Sequence, residues 1–295
     1  MSRCFVHIGA HKTATSTLQG FFSGLARLGP AQTGLFYDLG GTSLARRLRD
    51  GSPSPAELAE LRQQVAAVHA AQPRLPALLS SEEFLGRPAV AYADAGEVAG
   101  RLAAVLAGRP VGILVMVRRQ DTFLESWYGH LVRREGLGLE FPAFLAAWRS
   151  RELFWDAILD QWAAHFGAAN LLVLPYEEFS RDNLGGLTRL MRALGLNLRF
   201  ENLDGLPRAN AGYAAKAVEM ARRVNPLLTP AEREKLREFL EREFPKAPGE
   251  RYDFFPPGGR EELLAHYAEA NRRLFAQYLP GRDPAYYLGQ KPARE

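Results

Sequence analysis

The chain of 295 residues contains one cysteine, Cys4. That excludes an internal disulfide framework and any Cys-based zinc cage, and it fits a reducing compartment. Long apolar runs are missing too: no stretch approaches the roughly 18 uninterrupted apolar residues that a bilayer span needs. The opening "MSRCFVHIGA" has no charged region followed by a long apolar one, so the sequence predicts a soluble, cytoplasmic protein without a membrane span. Lysine is scarce, five against 37 cationic residues in all. No basic run with interleaved aromatics occurs, so the net charge of +4 reads as scattered solvated arginines rather than a nucleic-acid surface. A modest positive field still favours anionic ligands. What remains is a hydrophobic content of 47%, enough for a substantial core.

Four short apolar runs are bounded by turn signals: "CFVHI" (4–8), "PALLSS" (76–81), "VGILVMV" (111–117) and "LLVLPY" (171–176). Continuous runs of this length suit parallel strands covered on both faces. Helical patterns lie between them, at 15–28, 55–71, 94–107, 121–134 and 151–166, so the alternation implies βαβ units and a mostly parallel sheet. After about residue 176 helices dominate, at 184–194, 212–224, 229–243 and 260–278. The expectation is one three-layer α/β domain with a P-loop-like phosphate loop, its core over about 1–195 and a helical extension over about 196–295. The link "FPKAPGERYDFFPPGG" (244–259) reads as an ordered loop that packs on its surroundings.

Two segments carry chemistry. In "CFVHIGAHKTATSTLQGFF" a strand runs into a small, hydroxyl-rich turn and then a helix. The unpaired N–H groups of such a turn converge on one spot, where the helix dipole favours negative charge. Thr13, Thr15, Ser16 and Thr17 add hydroxyls around Ala14, and Lys12 adds a point charge, which together make a phosphate or sulfate cradle. An ordinary Ser/Thr-capped helix start is the plainer reading, but four hydroxyls plus a lysine exceed what capping needs. The triphosphate-binding form G-x-x-x-x-G-K-[ST] does not fit: Gly9 stands too close to Lys12, and His11 occupies the glycine's place. In "VMVRRQDTFLESWYGHLVR", Arg118 ends a strand and Ser126 follows on the next helix. An arginine fork and a helix hydroxyl can close on a second phosphate. Two separate anion sites imply a ligand with phosphates at two places.

With both segments in view, the chain resembles the sulfotransferases that use 3′-phosphoadenosine-5′-phosphosulfate (PAPS), and "HKTATST" is closest to the bacterial form of their 5′-phosphosulfate loop. Arg118 and Ser126 match that family's 3′-phosphate motif, and "VLPYEEF" (173–179) is similar to a third segment in which a tyrosine, here Tyr176, lies near the adenosine. The resemblance implies in-line transfer of a sulfuryl group from PAPS to a hydroxyl or amine, leaving 3′,5′-diphosphoadenosine (PAP) and requiring no metal. It places Lys12 both in binding and in catalysis, with Thr13, Ala14, Thr15, Ser16 and Thr17 on the phosphosulfate. Family members carry histidine or glutamate after the second strand; Glu82 matches by offset, with Glu83 and His11 as alternative bases.

The sequence departs from the family in three respects. Ala14 replaces a usual glycine, which is costly if that position needs φ > 0. Thr17 replaces an aromatic, and the basic C-terminal motif is missing, which leaves Arg208 and Arg260 as candidates to close over the 3′-phosphate. His7, inside the first strand, reads as an interior histidine; helix packing and acceptor contact explain Trp127 and Tyr128 equally well. Two other functions stay open, an Mg²⁺-dependent nucleotide kinase with a variant loop and a non-catalytic nucleotide-binding module. Arg118 and Arg119 at the strand end, where a kinase often holds its metal with an acidic residue, oppose the first. The acceptor, whether small molecule, lipid or glycan, and the oligomeric state are not encoded in any motif.

Overall fold

The computed structural model describes residues 2–148, 151–196, 212–247 and 250–290. Two compact units are interleaved along the chain: Met1–Arg118, Leu153–Pro207 and Glu269–Pro284 form the first, and Arg119–Glu152, Arg208–Ala268 and Ala285–Glu295 the second.

In chain order the regular elements begin with β1 (Cys4–His7), α1 (Thr15–Leu28), α2 (Pro30–Thr33), β2 (Phe36–Asp38), α3 (Gly41–Asp50), α4 (Pro55–Ala70), β3 (Ala77–Ser80), α5 (Ala95–Val105) and β4 (Val111–Val117). They continue with α6 (Gln120–His130), α7 (Phe141–Trp148), α8 (Trp155–Phe166), β5 (Leu171–Pro175), α9 (Tyr176–Arg181), α10 (Asn183–Ala193), α11 (Ala215–Val224), α12 (Pro230–Glu243) and α13 (Gly259–Tyr278). α6 runs on into a π-helical turn, Leu131–Glu135.

The first unit holds a five-stranded sheet in the order β2-β3-β1-β4-β5, and every pairing in it is parallel. This is the expected α/β architecture, with the four expected strands in place and a fifth, β2, added at one edge. Strand β1 is central because it is wholly apolar apart from His7 and buried throughout; such strands need cover on both faces. The chain crosses from β3 over β1 to β4, so the strand order reverses beside β1. In open α/β sheets the crevice at such a point, beyond the carboxyl ends of the strands, is where ligands bind.

α1 is anchored there by Leu18, Phe21, Phe22 and Leu25, spaced for one helical face. They join Phe5, Leu114, Met116, Leu187 and Met191 in the core, each contributing roughly 1.5–3 kcal/mol by leaving water. Both α4 and α12 start with a capping box, Ser54 with Glu57 and Thr229 with Glu232, and each has proline just inside the start.

The second unit gathers an aromatic core in which Tyr128 meets Phe141, Phe144 and Phe254 at ring separations of 5.1, 5.3 and 5.4 Å. Tyr128 also donates to the Leu139 carbonyl, so its ring and its hydroxyl are both taken up by packing. The described part of the 244–259 link packs as expected: Phe254 and Phe255 lie against Phe141 at 5.7 and 4.9 Å. Among the described residues no helix is long and apolar enough to cross a membrane.

Candidate active site

The turn after β1 is built by three left-handed residues, Gly9 (φ 53°), Lys12 (φ 65°) and Ala14 (φ 62°). Only the first is a glycine, and its need is steric as well as conformational. A Cβ on Gly9 would lie 2.6 Å from Thr15 Cγ2 and 3.2 Å from Glu82 Cα, so a side chain there would drive the loop away from β3. Lys12 and Ala14 hold the same conformation at a cost of about 1–2 kcal/mol each. Strain of this kind persists where surrounding structure enforces it, commonly at ligand sites.

α1 starts at Thr15 with Ala14 in the cap position and no side-chain cap. The first amides of the helix, those of Thr15, Ser16 and Thr17, are thus left to whatever occupies the turn. Ser16 is exposed and Thr17 half-buried. The hydroxyl of Thr13 behaves differently from the ligand donor expected: it is fully buried, donates to the Ala10 carbonyl at 2.5 Å and accepts from the Ala10 amide at 3.3 Å. It braces the turn from inside.

Three further side chains hold the loop. Arg118, just after β4, donates from Nη1 to the Lys12 carbonyl at 2.6 Å. Its own carbonyl accepts from the Trp155 indole at 2.7 Å. Trp155 packs on Tyr92 at 5.9 Å, and the Tyr92 hydroxyl accepts from the His11 amide at 3.0 Å. The circuit closes on the loop where it started. Burial drives the Tyr92 hydroxyl far above its ordinary range, so it stays protonated. Tyr92 and Ala91 are themselves left-handed, φ 61° and 50°.

Tyr176 opens α9 after β5, and the Arg118 guanidinium lies over its ring at 4.5 Å, a cation–π distance. Lys12, Arg118 and Tyr176 therefore meet around one guanidinium. Ser126 belongs to the second unit, half-buried on α6.

Beyond β3, Glu82 opens a 3₁₀ turn, Glu82–Leu85, and accepts from Gln19 Nε2 of α1 at 2.9 Å. The neighbouring Glu83 is bound by Arg49, with Arg46 at 3.8 Å and His11 at 3.9 Å. One carboxylate thus has a neutral amide partner and the other is neutralised by arginine. His7 shares a 2.8 Å hydrogen bond with Ser80 through Nδ1, while its Nε2 is buried with no partner among the described residues. Burial pushes the imidazole down to about 4, so it is neutral at pH 7. Tyr37 also hydrogen-bonds Ser80 and Ser23, yet burial still raises its hydroxyl.

Arg260 lies in the second unit bound to Asp121 at 2.5 Å, Glu125 at 3.0 Å and Asp253 at 3.2 Å. Burial raises Glu125 despite this arginine and the Phe254 amide; Asp121, also buried, is pulled down by Arg119 and Arg260 together. A guanidinium held by three carboxylates is committed to its own unit. Arg208 lies outside the described residues.

A sulfotransferase from Alicyclobacillus acidocaldarius superposes with a TM-score of 0.56, at 18% identity, over 96% of this chain and 97% of that one. The chain has the sulfotransferase fold. Weaker likenesses are to a mouse sulfotransferase complexed with PAP, TM-score 0.46, 15% identity, covering 98% of this chain and 87% of that one, and to retinol dehydratase in complex with androsterone and inactive cofactor PAP, TM-score 0.34, 14% identity, 95% and 81%. No family model and no curated protein matches the sequence.

Within this fold, sequence reasoning had named the loop, Arg118, Tyr176 and Glu82, and the structure brings them to the carboxyl ends of β1, β4, β5 and β3. It had not named Gln19, Tyr92 or Trp155. Their partners are distant along the chain, so no local pattern announces them.

Proposed function

We propose that this protein is a sulfotransferase that moves a sulfuryl group from PAPS to a hydroxyl or amine. One observation carries the reading: the β1–α1 turn passes through Gly9, Lys12 and Ala14 in left-handed conformation and delivers a lysine and an uncapped helix start to one place, beside the Glu82 carboxylate. Anions bind at such a start because the amides and the dipole point the same way.

The residues suit the donor at both ends. Lys12, the loop amides and the Ser16 and Thr17 hydroxyls would hold the 5′-phosphosulfate, Arg118 the 3′-phosphate, and Tyr176 the adenosine side. When bound, PAPS supplies the sulfuryl group and, as PAP, carries off the electron pair of the broken S–O bond. Lys12 and the amides stabilise the negative charge that grows on the leaving phosphate, a preorganised electrostatic contribution. Glu82 takes the proton that the acceptor loses as its oxygen or nitrogen bonds sulfur. Glu83, paired with arginine, is the poorer base, and Gln19 holds one Glu82 oxygen in place.

Calorimetric titration with PAP tests the reading, with ATP plus Mg²⁺ as competitor and Arg118→Ala as control. Micromolar PAP binding weakened by the substitution, with ATP much poorer, is the expected result and would justify an acceptor screen with radiolabelled PAPS. Binding of ATP but not PAP would sink it and turn the search to phosphoryl acceptors; PAP binding without turnover on any acceptor would leave a non-catalytic binding module.

A further inference from the structure

In the second unit, arginines gather where the π-helical turn Leu131–Glu135 meets α12. Arg133 belongs to the turn; its side chain is 9% exposed and has one partner among the described residues, Glu241 of α12 at 3.4 Å. Arg237 of α12 shares Glu241 at 3.5 Å and also binds Glu234. The charges of Arg133, Arg134 and Arg237 all reach the Tyr213 hydroxyl. One turn before Arg237, on the same face of α12, Arg233 lies across Gly136, which closes the π turn at φ 73°. A Cβ on that glycine would stand 2.9 Å from Arg233 Cζ and 3.0 Å from its Cδ. Two carboxylates, Glu234 and Glu241, therefore answer four guanidinium groups.

Arg233 is the group that fold stability does not explain. Its Nε is enclosed with no hydrogen-bond partner among the described residues, and the half-buried side chain has no carboxylate partner among them either. It also stands fourth in α12, where the helix dipole favours an anion over a cation. Arg133 and Arg134 end a helix, which the dipole rewards, but burial and the neighbouring Arg134 still pull Arg133 below its ordinary range. Of the other carboxylates on these elements, Glu232 is taken by the Thr229 cap, and Glu135 and Glu238 are exposed. The seam is short of negative charge by about two units, which a divalent oxyanion supplies and a carboxylate does not.

From this arrangement we infer that the seam binds a divalent tetrahedral oxyanion, a phosphate or sulfate group, with Arg233 as its principal donor and Arg133 and Arg237 beside it. Guanidinium forks present paired N–H groups that match such oxygens. The site lies within the second unit, and the inference does not depend on the sulfotransferase reading of the β1–α1 turn.

Calorimetric titration of the full chain tests it, at constant ionic strength and with or without saturating PAP. The probes are inorganic sulfate, inorganic phosphate and glucose 6-phosphate, with acetate as the monovalent control. Saturable binding of the divalent probes is expected, unaffected by PAP and about tenfold or more tighter than that of acetate. Arg233→Gln should weaken it about tenfold, the loss of roughly one charge-assisted hydrogen bond. Arg242→Gln, nine positions on and so half a turn round α12, should bind as the wild type. A preference for glucose 6-phosphate would assign the site to an esterified group, and a preference for the inorganic ions to a free one. The proposal is overturned if no divalent probe binds saturably, if acetate binds as tightly, if PAP abolishes the binding, or if Arg233→Gln binds as the wild type. Arg233 gives up no partner among the described residues when replaced, so its variant should fold. If PAP itself does not bind, the sulfotransferase reading fails while the Arg233 comparison still decides this one.

Discussion

The Arg118 guanidinium donates to the Lys12 carbonyl at 2.6 Å and covers the Tyr176 ring at 4.5 Å. One side chain thereby joins the β1–α1 turn to the far side of the proposed donor site. A lysine keeps the charge at this position but lacks the planar fork that serves two partners at once. Arg118→Lys is therefore expected to weaken PAP binding by about tenfold or more, nearly as much as Arg118→Ala. Calorimetry on the two variants checks this, and wild-type affinity in the lysine variant would reduce the arginine to a point charge.

In the proposed mechanism Lys12 stands where charge grows during transfer. Lys12→Ala is expected to lower kcat by about 10²–10³-fold, the usual cost of removing one preorganised electrostatic partner. Single-turnover measurement with radiolabelled PAPS reads it directly. A variant that transfers at the wild-type rate would remove the lysine from the mechanism.

The two adjacent carboxylates should separate cleanly. Glu82→Gln is expected to cost about 10²–10⁴ in kcat and to leave PAP affinity as it was. Glu83→Gln breaks the contact with Arg49, so it should lower the melting temperature more than the chemical rate. The reverse pattern in the two variants would transfer the base role to Glu83.

Ala14 holds φ 62° with no glycine to make it easy. Ala14→Gly relieves the methyl clash and, after the extra freedom of the unfolded chain is set against it, should stabilise the protein by roughly 1 kcal/mol. A melting curve would show it as a rise of a few degrees. A fall would mean that the methyl group, half-buried beside the core, packs better than the backbone suffers.

His7 ties stability to acidity. Its folded value of about 4 lies below the ordinary 6.5, so between these values the unfolded chain binds a proton that the native one refuses. The contribution is complete above pH 6.5 and is lost as pH falls toward 4, by roughly 3 kcal/mol in all. Urea midpoints from pH 7 to 4 should fall steeply for the wild type and more gently for His7→Gln. Equal slopes would assign the acid sensitivity to other groups.

Much of this architecture is legible in the sequence because its determinants are local. The runs "CFVHI" and "VGILVMV" are buried throughout except at the half-buried Val111 and announce themselves as central strands; α1 occupies the expected 15–28. β2 escapes notice because it is three residues long and two of them, Phe36 and Tyr37, are only half-buried at the sheet edge. α3 and α7 fall in stretches to which the sequence pattern assigns no element. The cradle is likewise local, and even the cost at Ala14 follows from its neighbours. The Gln19–Glu82 and Trp155–Arg118 contacts depend on the sheet bringing distant segments together, and no spacing rule contains them.

The wholly parallel sheet also governs the order of assembly. Cys4 pairs with Ala77 and with Val111, so the first strand to leave the ribosome has no partner until the third and fourth have been made. Pairings that close such long loops form late and slowly. The turn that carries Lys12 is finished only when Arg118 and then Trp155 reach it. A nascent chain that ends before them would own every residue of the loop and hold none of its shape, so recognition of the donor would begin only once Trp155 has been synthesised.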